Sequence, residues 1–283
     1  MANELATRQK TGIATYLAND KVKNQITSLV GEKATPTFIS SVVSAVQTNP
    51  ALAECSNSSI LSGALLGESL KLTPSPQLGQ YYLVPFKNTK TGVSEAQFQL
   101  GAKGYKQLAV RSGQYKNIVV SKIKEGELAA YNPITEEFSF NPIMDMKKRA
   151  ELPTIGYYAS FELLNGFKKE IYWSKEEMEH HAETYSQGYR NDLRKNTKYT
   201  FWSKDFDAMA EKTMIRQLIS KWGIMSIEMQ KAVEGDMSVV REDGSYDYVD
   251  NQPDDVVEVV AQDIQENANQ VEFSEVLEAE VVK

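Results

Sequence analysis

The spacing of apolar residues changes twice along this chain, from a helical period to an alternating one and back, and any fold must accommodate both changes. Over the first seventy residues the period is helical. Asp20 is placed to cap KVKNQITSLV, which ends at Gly31, and Thr35-Pro36 supplies an N-cap and first-turn proline for TFISSVVSAVQ. In that run Phe38, Val42, Val43 and Val46 recur at helical spacing until Asn49-Pro50 stops it. Ser58 or Ser59 can cap a third helix, with Ile60, Leu61, Ala64 and Leu65 facing inward. After the turn-rich TPSPQLG the pattern alternates. YYLVPF and SEAQFQL read as strands around KNTKTG, NIVVSKI as another strand, YNPITEEFSFNP as a further turn, and IGYYASFELLNGFKKEIYW as a hairpin about Asn165-Gly166.

The helical period then returns. SKEEMEHHAETY opens on Ser174 with Glu177 three residues on, a capping box. RNDLRKNTKYTFW is a polar, basic connector holding Arg190, Arg194, Lys195 and Lys198. SKDFDAMAEKTMIRQLISKW predicts a long helix with Trp202, Phe206, Met209 and Thr213 as its inner stripe. The order of elements predicts an α+β fold: N-terminal helices, a central antiparallel sheet of β-hairpins carrying a short basic helix, a long C-terminal helix, and a disordered acidic tail. The expected segments are a helical arm at 1–34 suited to oligomerisation, a core at 35–234, and a mostly disordered tail at 235–283.

The formal net charge of −7 hides an asymmetry. Residues 233–283 carry 15 acidic residues against Arg241 and Lys283, so the preceding 232 hold 29 basic and 23 acidic ones. A basic body favours phosphate-bearing partners, although such imbalance also occurs in proteins that bind none. No apolar run approaches membrane-spanning length, and MANELATRQKTG lacks the apolar core of a signal peptide. The single cysteine, Cys55, rules out an internal disulfide framework and fits a reducing cytoplasm as a packed thiol.

Several chemistries find no support. There is no phosphate-binding G-x-x-x-x-G-K-[ST] loop, and GAKG at 101–104 makes no dinucleotide fingerprint. His180 and His181 are adjacent on a helix and point about 100° apart, so they cannot chelate a metal as an i, i+4 pair does. Asp205, Asp207 and Glu211 are the one carboxylate group that a metal-dependent nuclease could use; the plainer reading has them neutralising Lys204 and a helix N-terminus.

The basic surplus concentrates in FQLGAKGYKQLAVRSGQYKNIVVSKIK. From Ala96 to Lys124 there is no Asp or Glu, while Lys103, Lys106, Arg111, Lys116, Lys122 and Lys124 all fall inside. Lys103 to Arg111 predicts a short helix with Lys103, Lys106, Gln107 and Arg111 on one face and Tyr105, Leu108 and Ala109 on the other. Binding a single strand without regard to sequence needs cations along the phosphates and flat side chains against the bases. Tyr105 and Tyr115 offer the second, and Gly101, Gly104 and Gly113 would let a backbone approach. A solvated helix face with glycine caps is the alternative.

In order along the chain, NPALAECSNSSILSGALLGESLKLTP, LGQYYLVPF, QLGAKGYKQLAVRSG, WSKDFDAMAEKTMIRQLISK and SIEMQKAV resemble the RecT family of phage single-strand annealing proteins, over roughly residues 35–233. The resemblance implies no turnover enzyme and no ATP. It implies a protein that binds single-stranded DNA, assembles on it as a ring or helical filament, and anneals it to a complementary strand in phage or prophage recombination. Its implied partners are single-stranded and annealed DNA, other copies of itself and, through the C-terminal part, a phage exonuclease and the host single-strand-binding protein. No cofactor is implied, and Mg²⁺ would act only through the DNA. On this reading Lys103, Lys106 and Arg111 form one wall of the DNA path and Lys212 and Arg216 another. Lys122, Lys124, Lys198 and Lys221 are supporting cations, and Tyr105 and Trp202 are candidates to meet bases or sugars. Trp202 also suits the core. Two departures stand out: Ala102 lies where relatives carry an aromatic between the glycines, as in GYRG, and Gly223 stands where they often have proline. A metal-dependent nuclease and an assembly protein with no DNA role are the other readings.

Overall fold

The computed structural model describes residues 11–75, 77–88 and 91–248. Helices α1 (Ile13–Ala18), α2 (Asp20–Val30), α3 (Thr35–Thr48) and, after a 3₁₀ turn at Pro50–Glu54, α4 (Asn57–Ser69) form the expected N-terminal bundle. Three caps differ from expectation by one to three residues. Asn19, not Asp20, accepts the Lys21 amide at α2, and Ser56, not Ser58 or Ser59, accepts the Ser59 amide at α4. Thr35 lies inside the first turn of α3, where its hydroxyl donates to the Gly31 carbonyl. The part of the expected arm that is described is docked, since Leu17 and Ile26 are fully buried in the same core as Phe38, Val42 and Val46.

The bundle packs on an antiparallel hairpin, β1 (Tyr81–Lys87) and β2 (Ser94–Leu100), and on α5 (Ala102–Arg111), the basic helix foreseen from its spacing. Then come β3 (Tyr115–Lys124), β4 (Leu128–Asn132), β5 (Glu137–Phe140), α6 (Met146–Glu151), β6 (Thr154–Leu163) and β7 (Lys168–Ser174). The segment read as a simple turn is thus the β4–β5 hairpin, in which Tyr131 and Phe138 pair across strands and stack with centroids 4.9 Å apart. Strands β3, β6 and β7 form one antiparallel sheet, with Gly166 (φ 88°) in the β6–β7 turn.

Helix α7 (Lys175–Tyr185) begins with the foreseen Ser174–Glu177 capping box. The basic connector is in fact helical as α8 (Gln187–Lys195), capped by Ser186, and is followed by α9 (Phe201–Lys204), α10 (Phe206–Trp222), α11 (Ile227–Gly235) and the short pair β8 (Val239–Val240) and β9 (Tyr246–Asp247). Asp205 breaks the long helix that the sequence suggests: its side chain accepts the Ala208 amide and starts α10 afresh. Of the expected stripe, Trp202, Phe206 and Met209 pack in or against the core on the sheet, and only Thr213 gives way, to Met214. Ala210, Met214 and Leu218 face the inner side of β3-β6-β7, against Tyr157, Ala159 and Phe161, while Ile215 and Ile219 face the bundle core. Thr213 is only half-buried. A Cβ at Gly223, which ends α10, would lie 2.5 Å from the Tyr115 hydroxyl and 2.7 Å from the Ile219 carbonyl. No proline fits there.

Chain beyond Gly235, assigned to the tail, remains packed through Asp247. Phe98 and Ser238 form an antiparallel bridge, and Arg241 pairs with Glu95 and Asp247. Asp236 is 0% exposed; it accepts from the Leu100 amide (2.8 Å), the Tyr105 hydroxyl (2.9 Å) and Lys212 Nζ (3.1 Å), with Arg216 at 3.8 Å. The rest of the expected tail lies outside the described residues. Cys55 is buried, and no helix among the described residues is long and apolar enough to cross a membrane.

Truncating Asp236 to Ala removes a buried charge while leaving Lys212 behind, which costs about 3–5 kcal/mol. Tyr105→Phe, which removes one hydrogen bond of several, costs about 1 kcal/mol. Urea unfolding midpoints of the two variants should separate accordingly. A second test concerns His181, which packs between the rings of Trp173 and Tyr185 at 5.1 and 4.6 Å. Burial, helped by the charges of Arg216, Lys221 and His180, lowers its pKa from 6.5 to about 4. The unfolded chain therefore takes up this proton first, so the contribution is intact above pH 6.5 and is lost as pH falls toward 4. His181→Gln should flatten the melting temperature over that window.

Candidate nucleic-acid interface

Helix α5 owes its position to two glycines. The Gly101 amide donates to the Gln80 carbonyl at 2.8 Å, and a Cβ at Gly101 would stand 2.2 Å from the Gly79 carbonyl oxygen. A Cβ at Gly104 would stand 2.1 Å from the Gln80 carbonyl oxygen. The first turn of α5 is therefore pressed backbone to backbone on residues 79–80. The expectation that these glycines admit DNA gives way to a packing role. Ala102, between them, is half-buried at the cleft edge, where no contact requires an aromatic.

Docked in this way, α5 buries Tyr105, Leu108 and Ala109 and leaves Lys103 and Lys106 on a cleft of about 560 Å³. The same cleft is lined by Tyr82, Gln99, Phe201, Lys204, Ala208 and Met209. It continues past Tyr82, Phe201 and Lys204 into a wider, mainly apolar stretch of about 850 Å³ that runs between the β1–β2 hairpin and the α8–α9 segment. Tyr82 and Phe201 lie side by side with ring centroids 6.2 Å apart, and Lys204 Nζ is 5.9 Å from the Phe201 ring.

The far wall is held by Asp192 on α8. Only 4% exposed, its carboxylate accepts the hydroxyls of Thr197, Thr200 and Ser203 at 2.6, 2.8 and 2.7 Å and the amides of Tyr199 and Thr200 at 3.0 and 2.8 Å. Burial alone would raise its pKa, but these donors outweigh burial and hold it well below the usual carboxylate range. The loop so gathered carries Lys198, Tyr199, which is 78% exposed, and the start of α9 with Phe201.

Of the residues singled out in the sequence, Lys103 and Lys106 line the cleft and Lys198 and Lys221 are exposed. The remainder have partners within the fold. Tyr105 is 0% exposed and bonded to Asp236, so its ring does not reach the surface. Lys212 borders the cleft, but it is 8% exposed and its ammonium points at Asp236, while Arg216 is a more open second partner of the same carboxylate. Arg111 reaches back to the carbonyls of Leu70 and Lys71 at the end of α4. Lys122 pairs with Asp207 at 3.0 Å, and Lys124 donates to the Leu152 carbonyl and Thr154. Trp202 is core, packed on Phe206 and Tyr189.

The carboxylates considered for a nuclease are similarly engaged. Asp207 accepts from Tyr157 (2.7 Å) and Lys122, and Asp205 caps α10. Glu211 borders the cleft with its pKa raised by burial, assisted by Asp207 and Asp205. No set of three His, Cys, Asp or Glu among the described residues is grouped to hold a metal. Tyr82, Phe201 and Lys204 are the cleft residues that sequence reasoning missed. Alternation in YYLVPF carried a usable signal, since it sends Tyr81 inward and Tyr82 outward.

An α+β scaffold that gathers lysines and exposed aromatic rings along one groove has the character of a nucleic-acid-binding protein. Comparison with known proteins agrees. A family model described as the RecT family matches residues 36–254. The chain is 38% identical over 243 residues to YqaK, an uncharacterized protein of Bacillus subtilis (strain 168), covering 84% of this chain and 78% of that one. It is 27% identical over 237 residues to Protein RecT of Escherichia coli (strain K12), covering 81% of each. The chain belongs to the RecT family, a family of DNA-binding proteins of recombination and single-strand annealing.

Because the Asp192 pKa is depressed from 3.8, its contribution to stability is complete above that value and is lost as pH falls below it. Asp192→Asn should lower the melting temperature at pH 7 and give a shallower decline between pH 4 and pH 2 than the unaltered protein, read by circular dichroism.

Proposed function

We propose that this chain binds single-stranded DNA along the groove and accelerates pairing of complementary strands without a nucleotide cofactor. The observation that carries the reading is the joint placement of Lys103, Lys106 and Lys204 on one cleft with Tyr82 and Phe201. Annealing is opposed by repulsion between two polyanions and by stray pairing within each strand. Cations fixed on α5 and α9 release counterions from one backbone and hold it extended, which lowers both barriers. Lys198 extends the basic lip along the Asp192-held loop, and the half-exposed Arg216 adds a more distant cation. Lys212 acts through Asp236 by keeping α10 in place, and Arg111 acts by holding α4.

Copies side by side on one strand would lengthen the groove, which is how a ring or filament serves annealing; membership of the RecT family supports that self-association. A co-encoded exonuclease and a host single-strand-binding protein, met in the bacterial cytoplasm during phage or prophage recombination, complete the reading as further partners. The nuclease alternative has nothing to favour it, because Asp205 and Asp207 already serve as cap and ion-pair partner.

The test is annealing of two complementary oligonucleotides without ATP, across a salt series. Lys103→Ala/Lys106→Ala should slow annealing at least about tenfold and reduce the salt slope of single-strand binding by roughly 1.4, about 0.7 for each phosphate that is no longer neutralised. Arg111→Ala should lower stability while leaving that slope unchanged. Failure of the unaltered protein to bind a single strand at low salt would sink the reading.

A further inference from the structure

The wider stretch of the groove has a lining that phosphate binding does not explain. Lys103, Lys106 and Lys204 line the narrower cleft beside α5, whereas the wider stretch, which shares Lys204 and adds Lys87, has a mainly apolar lining that includes Tyr82, Phe86, Phe201 and Met209, along with Gln187 and Asn191. Phe201 is 46% exposed and Tyr199, at the lip, 78%. A phosphate would gain little from such a surface and would lose its hydration there. The flat face of a base suits it well, because every base has a π-face and a hydrogen-bonding edge.

We infer that this stretch is a nucleobase trough: it takes an unpaired base of the strand whose backbone follows Lys103, Lys106 and Lys204, with Phe201 and Tyr82 as the stacking surface. This rests on the reading of the groove as the DNA path. Two features select a base over other occupants. The trough is continuous with the lysine cleft through Tyr82, Phe201 and Lys204, so a strand on the lip passes directly beside it. Lys204 lies near both the Phe201 ring and the cleft, which sets a phosphate partner next to a stacking partner, the adjacency that one nucleotide presents. The Tyr82–Phe201 separation of 6.2 Å leaves no room for a base between the rings, so stacking occurs over them. Gln187 and Asn191 can each donate and accept, and thus tolerate any base edge. A base paired in a duplex has both faces stacked and its Watson–Crick edge occupied, so the trough favours the unpaired strand and yields its base when a complement arrives.

The experiment compares the full chain binding an ordinary single-stranded oligonucleotide with its binding to one of the same length carrying abasic sites, by fluorescence anisotropy across a salt series. The ordinary strand should bind about tenfold tighter at every salt concentration. Phe201→Ala should remove most of that advantage without changing the salt slope or the affinity for the abasic strand. Tyr82→Phe should retain the advantage and Tyr82→Ala lose much of it. Phe201 is half-exposed, and a far-UV spectrum confirms that its variant is folded. Equal binding of the two strands by the unaltered protein, with a normal salt slope, overturns the trough and leaves the DNA path intact. Loss of self-association in Phe201→Ala with strand discrimination unchanged also overturns it, by assigning the surface to a second copy of the chain. Binding of neither strand would defeat the DNA path as well.

Discussion

A carboxylate with no contact to water must have its charge answered on every side, and Asp236 shows how much of a fold that requirement can organise. Its oxygens are met by the amide that ends β2, by the hydroxyl of Tyr105 on α5, and by Lys212 and Arg216 on α10. Pieces of chain more than a hundred residues apart in sequence are thereby tied at one point. Such a cluster is a weak source of net stability, because desolvation of the ions offsets much of their attraction. What it does secure is geometry, since moving α5 or α10 would leave the buried carboxylate short of a partner.

The groove is the space that this arrangement leaves. Helix α10 contributes to two cores at once, turning Ala210, Met214 and Leu218 to the sheet and Ile215 and Ile219 to the bundle. Its N-terminal turns, together with α9, emerge between the two cores as one wall, and α5 forms the other. Asp192 does for the α8–α9 loop what Asp236 does for the helices. Asp192 works through donors within eleven residues of it and Asp236 through distant ones, and neither is among the residues lining the groove. On the proposed reading of the groove as a DNA path, an acidic residue nearby need not oppose the DNA, provided its charge is spent on the protein.

Much of this architecture was legible in the sequence because it rests on local rules. The Asn165-Gly166 hairpin, the Ser174 capping box, the β1–β2 pair and the burial of Tyr105, Leu108 and Ala109 follow from period and turn chemistry alone. Errors arose where a cap or a distant residue decides. The single long helix is interrupted because Asp205 caps a new start, although Trp202, Phe206 and Met209 keep their expected inward places, and the connector is helical because Ser186 caps α8 and Asn196 adopts a left-handed conformation to end it. On composition the tail begins at Gly235, yet Asp236 and Ser238 are fully buried against β2. For the groove, cationic positions could be enumerated but not sorted. Lys103 and Lys212 look alike in a string, and only the position of Asp236 separates the lysine left on the cleft from the one committed to the core.

The close seating of Gly101 and Gly104 on the backbone at 79–80 has a thermodynamic corollary. A helix seated without side chains between it and its support has little room to tilt or slide, so on the proposed DNA path the backbone that carries Lys103 and Lys106 is set before any strand arrives. Ordering on association then falls mainly on the nucleic acid, whose unstacked backbone is the more flexible party. The entropic penalty should therefore track the strand's own structure: a stiff, self-stacked sequence has less to lose on alignment but must first be unstacked, whereas a flexible one aligns readily. Preference among sequences can thus arise on a protein surface that reads no base identity at all.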